Sequence, residues 1–480
     1  MGIGRDVLSV TSFEGRSIVL SEMPKLSRLS STQLIAAAFT ALILLGTFLL
    51  MLPAASKAGT VTNFFDALFT STSAVTVTGL TTVDSATHWS TTGHVILAFL
   101  IQIGGFGIIG FATLVGYLIE GRISLKNRIS ATSESSATKQ PDVKTLLKNI
   151  AKLMLFFQLV LFLFLVVRFF FEYGYSFDKA LAHGGFHAIS AFNQAGFALY
   201  TDSLMGFAGD LGIIGPVFVI STLAGFGFPV MAEIRDRLKL RIYALVGKAA
   251  DYTMPAQWSL NSRIVLYSSL VLLIIGAIGI AISEWYNPRT LGAMDPLQKI
   301  ISSLFASSMP RSTGLNTIDT GAMYASTWLG IDILMFIGGA SASTAGGIKI
   351  GTAVVLLYIV YTEIRGDAAV NVGNRRLPRS MQRQALTIVT LYLFVIIGAI
   401  FLLRFTTSFT LDELLFEVIS AAGTVGLTTG ITPDLPDHGK FLLSLLMLFG
   451  RLGPIVVATS LALRKTKRHY EFPKERPLIG

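Results

Sequence analysis

Apolar runs of about 20 residues, each long enough to cross the ~30 Å hydrocarbon core of a bilayer as a helix, recur from one end of this chain to the other. Eight such windows lie near 33–53, 92–119, 150–171, 209–232, 262–283, 328–362, 383–404 and 438–463. Between the members of each successive pair sits a shorter apolar segment, near 61–73, 179–192, 294–308 and 411–422, too short to cross as a helix. The pattern predicts an all-α integral membrane protein with eight full spans and four re-entrant half-helices. Composition agrees, because only 14% of the 480 residues are charged, against roughly 25% in soluble domains.

Charge orients the chain. The segments 1–31, 120–148, 234–263, 364–383 and 464–480 hold 27 Lys and Arg, whereas 54–91, 172–208, 284–327 and 405–440 hold 6. Positive residues stay in the cytoplasm, so both termini are expected there and the half-helices enter from outside. The net charge of +10 is then a membrane-sidedness signal, with anionic lipid or a cytosolic partner as its counterpart, and calls for no nucleic acid. The polar start carries Arg5, Arg16, Lys25 and Arg28 and shows no signal-peptide pattern. Without cysteine there is no disulfide framework, thiolate metal site or cysteine nucleophile.

The half-helices end alike. Their last residues run Thr76-Val77-Thr78-Gly79-Leu80, Asn193-Gln194-Ala195-Gly196-Phe197, Arg311-Ser312-Thr313-Gly314-Leu315 and Gly423-Thr424-Val425-Gly426-Leu427. The glycines are 117, 118 and 112 residues apart, and a second glycine follows each one in Gly107, Gly227, Gly339 and Gly453. This spacing predicts one unit used four times: repeats at 32–120, 149–233, 262–363 and 383–463. Segments 1–31, 121–148, 234–261, 364–382 and 464–480 are left on the cytoplasmic side.

Irregular backbone at membrane depth is tolerated only where it is buried in protein or lines water, so four such strips are expected to converge on one axis. Each half-helix brings the negative end of its dipole to that axis, and the strips can turn carbonyls inward, which favours a cation. Glycine is needed because the required backbone angles are costly with a Cβ. The strips contain no Asp or Glu, which points to a weakly hydrated monovalent ion, K⁺ or K⁺ with Na⁺, over a divalent one. The candidate ion-binding residues are Thr76, Val77, Thr78, Gly79, Asn193, Gln194, Ala195, Gly196, Ser312, Thr313, Gly314, Thr424, Val425 and Gly426.

Strips reading TVTGL and RSTGL, together with the run from Gly338 to Gly347, resemble the Trk/Ktr/HKT superfamily of potassium transporters over roughly residues 32–480, KtrB-type chains in particular. Its TrkH branch has a similar plan but carries two further spanning helices first. The resemblance implies K⁺ uptake across a bacterial inner membrane, driven by about 2.3 kcal/mol per charge per 100 mV. It implies a homodimer with one pore per chain, contacting through a tail that ends Leu478-Ile479-Gly480. It also implies a cytosolic ring of RCK-type, KtrA-like regulatory subunits that bind ATP or ADP, with Na⁺ as a possible activator. Gly79 sets the chain apart from the plant branch, where Ser in the first strip accompanies Na⁺ selectivity.

Ten consecutive small residues, Gly338, Gly339, Ala340, Ser341, Ala342, Ser343, Thr344, Ala345, Gly346 and Gly347, interrupt the second span of the third repeat. Poor helix propensity there predicts an irregular loop, which the resemblance identifies as an intramembrane gate; close helix packing through small residues is the alternative. Arg451, mid-span, either lines the pore below the strips, as the resemblance implies, or anchors helices by bonding carbonyls. Lys349 is expected to cap the broken helix, and Arg311 to point behind its strip toward an acidic partner. His183 and His187 have zinc-helix spacing but lack the intervening Glu. No P-loop and no Ser/His/Asp arrangement occurs, so an enzyme is not expected. The other transport reading is an alternating-access monovalent-cation carrier, which would carry inverted repeats rather than four units of one direction.

Overall fold

The computed structural model describes residues 31–106, 110, 143–245, 257–311 and 313–453. Ser312, Gly107 and the segments 1–30, 111–142, 246–256 and 454–480, including the expected dimer tail, lie outside them. The order long helix, short helix, second helix recurs in chain order. It runs α1 (Ser31–Met51), α2 (Phe64–Thr76), α3 (Thr91–Gly104); α4 (Val143–Phe171), α5 (Phe177–Asn193), α6 (Leu211–Gly225). A helix α7 (Phe228–Leu245) follows. Then come α8 (Leu260–Glu284), α9 (Pro296–Ser308), α10 (Ala325–Phe336), α11 (Ile350–Arg365), α12 (Arg379–Thr406), α13 (Leu411–Gly423) and α14 (Asp437–Leu452).

Among the described residues, four helices, within α1, α4, α8 and α12, are long and apolar enough to cross a membrane unaided. Only 22–33% of their most apolar windows is buried inside the protein, and Phe48, Phe171, Ile275 and Phe394 stand outward. The polar residues sit within: Thr70, Ser71, Thr72, Ser73, Thr76 and Thr78 of α2 and its strip are all buried. An apolar outside around a hydroxyl-rich inside inverts the order of a soluble protein and suits a lipid solvent.

The short helices begin with well-formed caps. Asn63 accepts from the Phe65 N–H at 2.9 Å, and Thr410 with Glu413 forms a reciprocal capping box at α13. Asp66, Asp178 and Asp412 complement the positive ends of their helices. Each short helix packs against the long helix before it, and α14 also packs on α2, where Lys440 and Asp66 pair at 2.8 Å. The last group of helices is thereby closed onto the first.

The second helices stop short of the windows read from sequence. The run expected to cross at 209–232 breaks at Phe226-Gly227, and α6 and α7 meet at 111°. Gly227 has φ +80° there. Helix α14 ends against Gly453 at φ +78°, and α10 gives way before Gly339. Among the described residues, Gly227, Gly339 and Gly453 of these recurring glycines thus lie at or just past helix ends. A two-stranded hairpin, β1 (Asn371–Val372) with β2 (Arg375–Arg376), follows α11, and its Val370, Val372 and Leu377 pack with Val355 and Ala385.

Candidate cation-conducting site

Three of the four short helices end in the same way. Residues Val77, Gln194 and Thr424 adopt left-handed backbone at φ +58°, +61° and +48°. The next N–H groups turn back onto the helix: Thr78 to Ser73 at 2.8 Å, Ala195 to Ser190 at 2.8 Å, and Val425 to Ser420 at 2.9 Å. A β-branched residue at positive φ is strained, so Val77 holds this angle because the surroundings over-determine it. Two residues later Gly79, Gly196 and Gly426 are again at positive φ. Repeated excursions of this sign turn successive carbonyls toward one side.

The third strip departs. Helix α9 tightens into a 3-10 turn over Met309–Arg311, where Pro310 has no N–H and a fixed φ. Both Thr313 and Gly314 donate to the Met309 carbonyl, at 2.9 and 3.2 Å. Gly314 nonetheless regains φ +72°. Asn193-Gln194, whose side chains make the second strip depart most from a glycine-rich sequence, leaves its backbone unaltered. Asn193 donates to Gln102 at 3.1 Å, and Gln194 donates to the Ser221 carbonyl at 3.1 Å, so these side chains serve the scaffold.

The four glycines lie in a closed ring. A Cβ at Gly79 would stand 2.5 Å from the Ala195 carbonyl oxygen and 2.9 Å from Gly196 Cα. At Gly196 it would meet the Thr313 oxygen at 2.9 Å, at Gly314 the Val425 oxygen and Gly426 Cα, and at Gly426 the Thr78 oxygen and Gly79 Cα. The carbonyl preceding each glycine therefore rests against the glycine of a neighbouring strip, and the cycle returns to its start. Such a layer of four carbonyls, at the negative ends of short helices, can replace the hydration of a cation.

One recurring residue escaped the sequence reading. A serine sits six positions before every ring glycine: Ser73, Ser190, Ser308 and Ser420. Ser73 accepts from the Gly79 N–H at 2.9 Å and Ser420 from the Gly426 N–H at 3.1 Å. Ser190 donates to the Phe197 carbonyl at 2.6 Å, while Ser308 pairs with Thr222 at 2.8 Å. The regular spacing was the available signal.

Beneath the ring lies the small-residue run 338–347, non-helical throughout and well satisfied. Gly338 donates to the Ile348 carbonyl at 2.9 Å, Ala340 to the Gly225 carbonyl at 2.9 Å, and Phe228 to the Ala342 carbonyl at 3.1 Å. Thr344 donates to Gln194 Oε1 at 2.7 Å, joining the run to the second strip. Gly346 presses on Thr424, where a Cβ would clash with its hydroxyl. Arg451 is buried, and its guanidinium donates to the carbonyls of Thr344 and Gly104. Lys349 precedes α11 and donates to the Ala345 and Gly346 carbonyls. Arg311 lies behind its strip, as expected, but its partner is not acidic: it donates to the Ser269 carbonyl at 3.3 Å and hydroxyl at 2.9 Å on α8. The serine and the helical carbonyl take donors from its two terminal nitrogens, while its buried Nε has no partner among the described residues.

A family model described as TrkH, a cation transport protein, matches residues 11–468. The chain belongs to the TrkH family of cation transport proteins. Within this family it is 34% identical to the Ktr system potassium uptake protein B of Bacillus subtilis (strain 168), over 91% of this chain and 94% of that protein. It is also 34% identical to the potassium/sodium uptake protein NtpJ of Enterococcus hirae, over 94% of this chain and 98% of that one. The crystal structure of the potassium transporter TrkH from Vibrio parahaemolyticus shares the fold with a TM-score of 0.62 at 20% identity, covering 89% of this chain and 85% of that one. This TrkH-family chain is a multi-pass membrane transporter and not an enzyme.

Proposed function

We propose that this chain is the ion-conducting subunit of a Ktr-type system for K⁺ uptake. Four pseudo-symmetric span–half-helix–span units, eight spans in all, surround one pore. The strips around Gly79, Gly196, Gly314 and Gly426 form its selectivity filter. The observation that carries this reading is the closed backbone ring, in which every filter glycine abuts the next strip's carbonyl or Cα and none can gain a Cβ without displacing a neighbour. The run 338–347 is the gate, latched by Arg451, and K⁺ enters down the membrane potential. The chain works as a homodimer in a bacterial inner membrane with both termini cytoplasmic. A nucleotide-binding regulatory subunit docks on the basic face and opens the gate when ATP replaces ADP, with Na⁺ as an activator. The names of the Bacillus relative, a potassium uptake protein of a Ktr system, and of the Enterococcus relative support the substrate and the multi-component assembly.

Expression in a bacterium lacking its own K⁺ uptake tests this function. Growth at submillimolar K⁺, enhanced when a cytosolic nucleotide-binding partner is co-expressed, is the expected result. Abundant protein in the membrane with no K⁺ or Rb⁺ uptake, alone or with the partner, would overturn it.

A further inference from the structure

Helix α13 carries a buried carboxylate that the ring itself does not use. Glu417, nine residues before Gly426, is fully enclosed. Its Oε1 accepts from the Thr429 N–H at 3.0 Å and from the Thr428 hydroxyl, and its Oε2 accepts from the Thr432 hydroxyl at 2.8 Å. A carboxylate among donors alone is well paired, so this group is spent on the backbone three residues beyond the filter glycine.

The same register recurs in α5 with different chemistry. His187 also stands nine residues before its glycine, Gly196, and is buried. Its Nδ1 lies 2.7 Å from the His183 carbonyl, an acceptor, so Nδ1 carries the proton and Nε2 is free to accept. Nε2 does accept, from the Leu199 N–H at 3.3 Å. Leu199 follows Gly196 by three residues, as Thr429 follows Gly426. Two unlike acceptors thus reach equivalent amides.

The other two strips have no such post. Their equivalents are Thr70 with Thr82 and Phe305 with Thr317. The hydroxyls of Thr70, Thr82 and Thr317 make no hydrogen bond among the described residues, and Phe305 has nothing to accept with. In the ring Gly79 and Gly426 are neighbours, as are Gly79 and Gly196, so the second and fourth strips face each other across the axis.

We propose that Glu417 and His187 are positioning residues that hold the outer ends of two diagonally opposed strips, making the pore two-fold in stiffness, and that this held pair sets ion discrimination. The inference rests on the filter reading above. A carbonyl layer distinguishes ions of similar charge only while its spacing is maintained, and a strip released from its post relaxes toward the smaller ion.

The test measures K⁺ KM, maximal Rb⁺ uptake and Na⁺ competition for Glu417→Leu, His187→Phe and the unposted control Thr70→Val, with membrane protein quantified. Glu417→Leu and His187→Phe, neither of which offers an acceptor, should each raise the K⁺ KM and lower K⁺/Na⁺ discrimination about fivefold, as expected for one lost hydrogen bond to the strip, with maximal uptake retained. His187→Gln, which restores an acceptor, should recover discrimination, and Thr70→Val should leave it unchanged. If Glu417→Leu fails to accumulate, Thr432→Val decides the matter with a smaller shift in the same sense. Unaltered discrimination in the posted variants, alongside its loss in Gly79→Ser, would overturn the positioning role and leave the filter standing. Unaltered discrimination in Gly79→Ser as well would remove the filter reading itself.

Discussion

Replacing Gly79 with serine perturbs the ring at a position where two costs can be separated. Gly79 has φ +98°, and a side chain held at such an angle costs about 1–3 kcal/mol. The added Cβ also meets the Ala195 oxygen at 2.5 Å and Gly196 Cα at 2.9 Å, overpacking of the kind that costs about 1–3 kcal/mol. A midrange total is about 4 kcal/mol. The first strip relieves it most cheaply by moving away from the second, since both neighbouring atoms are backbone and cannot rotate aside. Every 1.4 kcal/mol of lost differential stabilisation is tenfold in selectivity, so even a third of the strain expressed at the ion removes a factor of about ten. Gly59 supplies the control: it has φ +68° and nothing within 4 Å, so Gly59→Ser carries the conformational cost without the collision. The assay is Rb⁺ uptake with Na⁺ competition in a K⁺-uptake-deficient bacterium, normalised to protein in the membrane. Gly79→Ser should lower K⁺/Na⁺ discrimination at least tenfold while Gly59→Ser leaves it near wild type. Equal discrimination in all three proteins would refute the steric argument.

Two further outcomes follow from the run beneath the ring. Deleting 341–346 removes the segment that Gly227 and Gln194 contact, and it should raise K⁺ flux if the run obstructs the path; flux that falls at constant protein would assign it to helix packing instead. Arg451→Ala gives up the bonds to Thr344 and Gly104 and should raise partner-independent uptake roughly tenfold or more; unchanged transport would leave Arg451 as an anchor only.

Much of the fold was legible because lipid imposes a simple grammar. Backbone groups in hydrocarbon must be bonded within a helix, so length and apolarity alone located the long helices α1, α4, α8 and α12. The second helices were harder. The window at 209–232 is continuously apolar, and nothing in its hydropathy marks the 111° bend at Phe226-Gly227. That break exists because Phe228 and Gly225 bond the run at Ala342 and Ala340, contacts more than 100 residues away in sequence. The glycine spacing located the strips, but likeness of side chains does not rank their backbones. Asn193-Gln194 looks foreign beside TVTGL, but backbone conformation is set by the helix cap, and Gln194 adopts the same left-handed angle as Val77. Pro310, which reads as an ordinary loop residue, alters the third strip by removing an N–H. The partner of Arg311 was missed because a buried guanidinium suggests a carboxylate by habit, whereas a carbonyl and a hydroxyl here accept from its terminal nitrogens and leave Nε without a partner among the described residues.

If the run is the gate proposed above, the bonds holding it also bound what a regulator must supply. Arg451 reaches the Thr344 carbonyl from α14, and the Thr344 hydroxyl reaches Gln194 at the foot of the second strip. One residue of the run is therefore held from two sides, by a charged donor and by the filter's own helix cap. A hydrogen bond to a charged group contributes about 1.5–3 kcal/mol and a neutral one about 0.5–1.5 kcal/mol. Releasing both costs about 2–4.5 kcal/mol, which corresponds to an open fraction between about one in thirty and about one in two thousand. A partner that keeps the path open must bind the open form more tightly by at least that amount, and a partner indifferent to the two forms shifts nothing however strongly it docks. Because Gln194 belongs to both the latch and the second strip, the same displacement that frees Thr344 reaches the ring above. If the run is the gate and the ring the filter, as proposed, gating and ion binding are coupled in both directions: K⁺ seated in the ring then stabilises the arrangement of Gln194 that it prefers, and the free energy it contributes there is added to, or taken from, what a cytosolic partner has to provide.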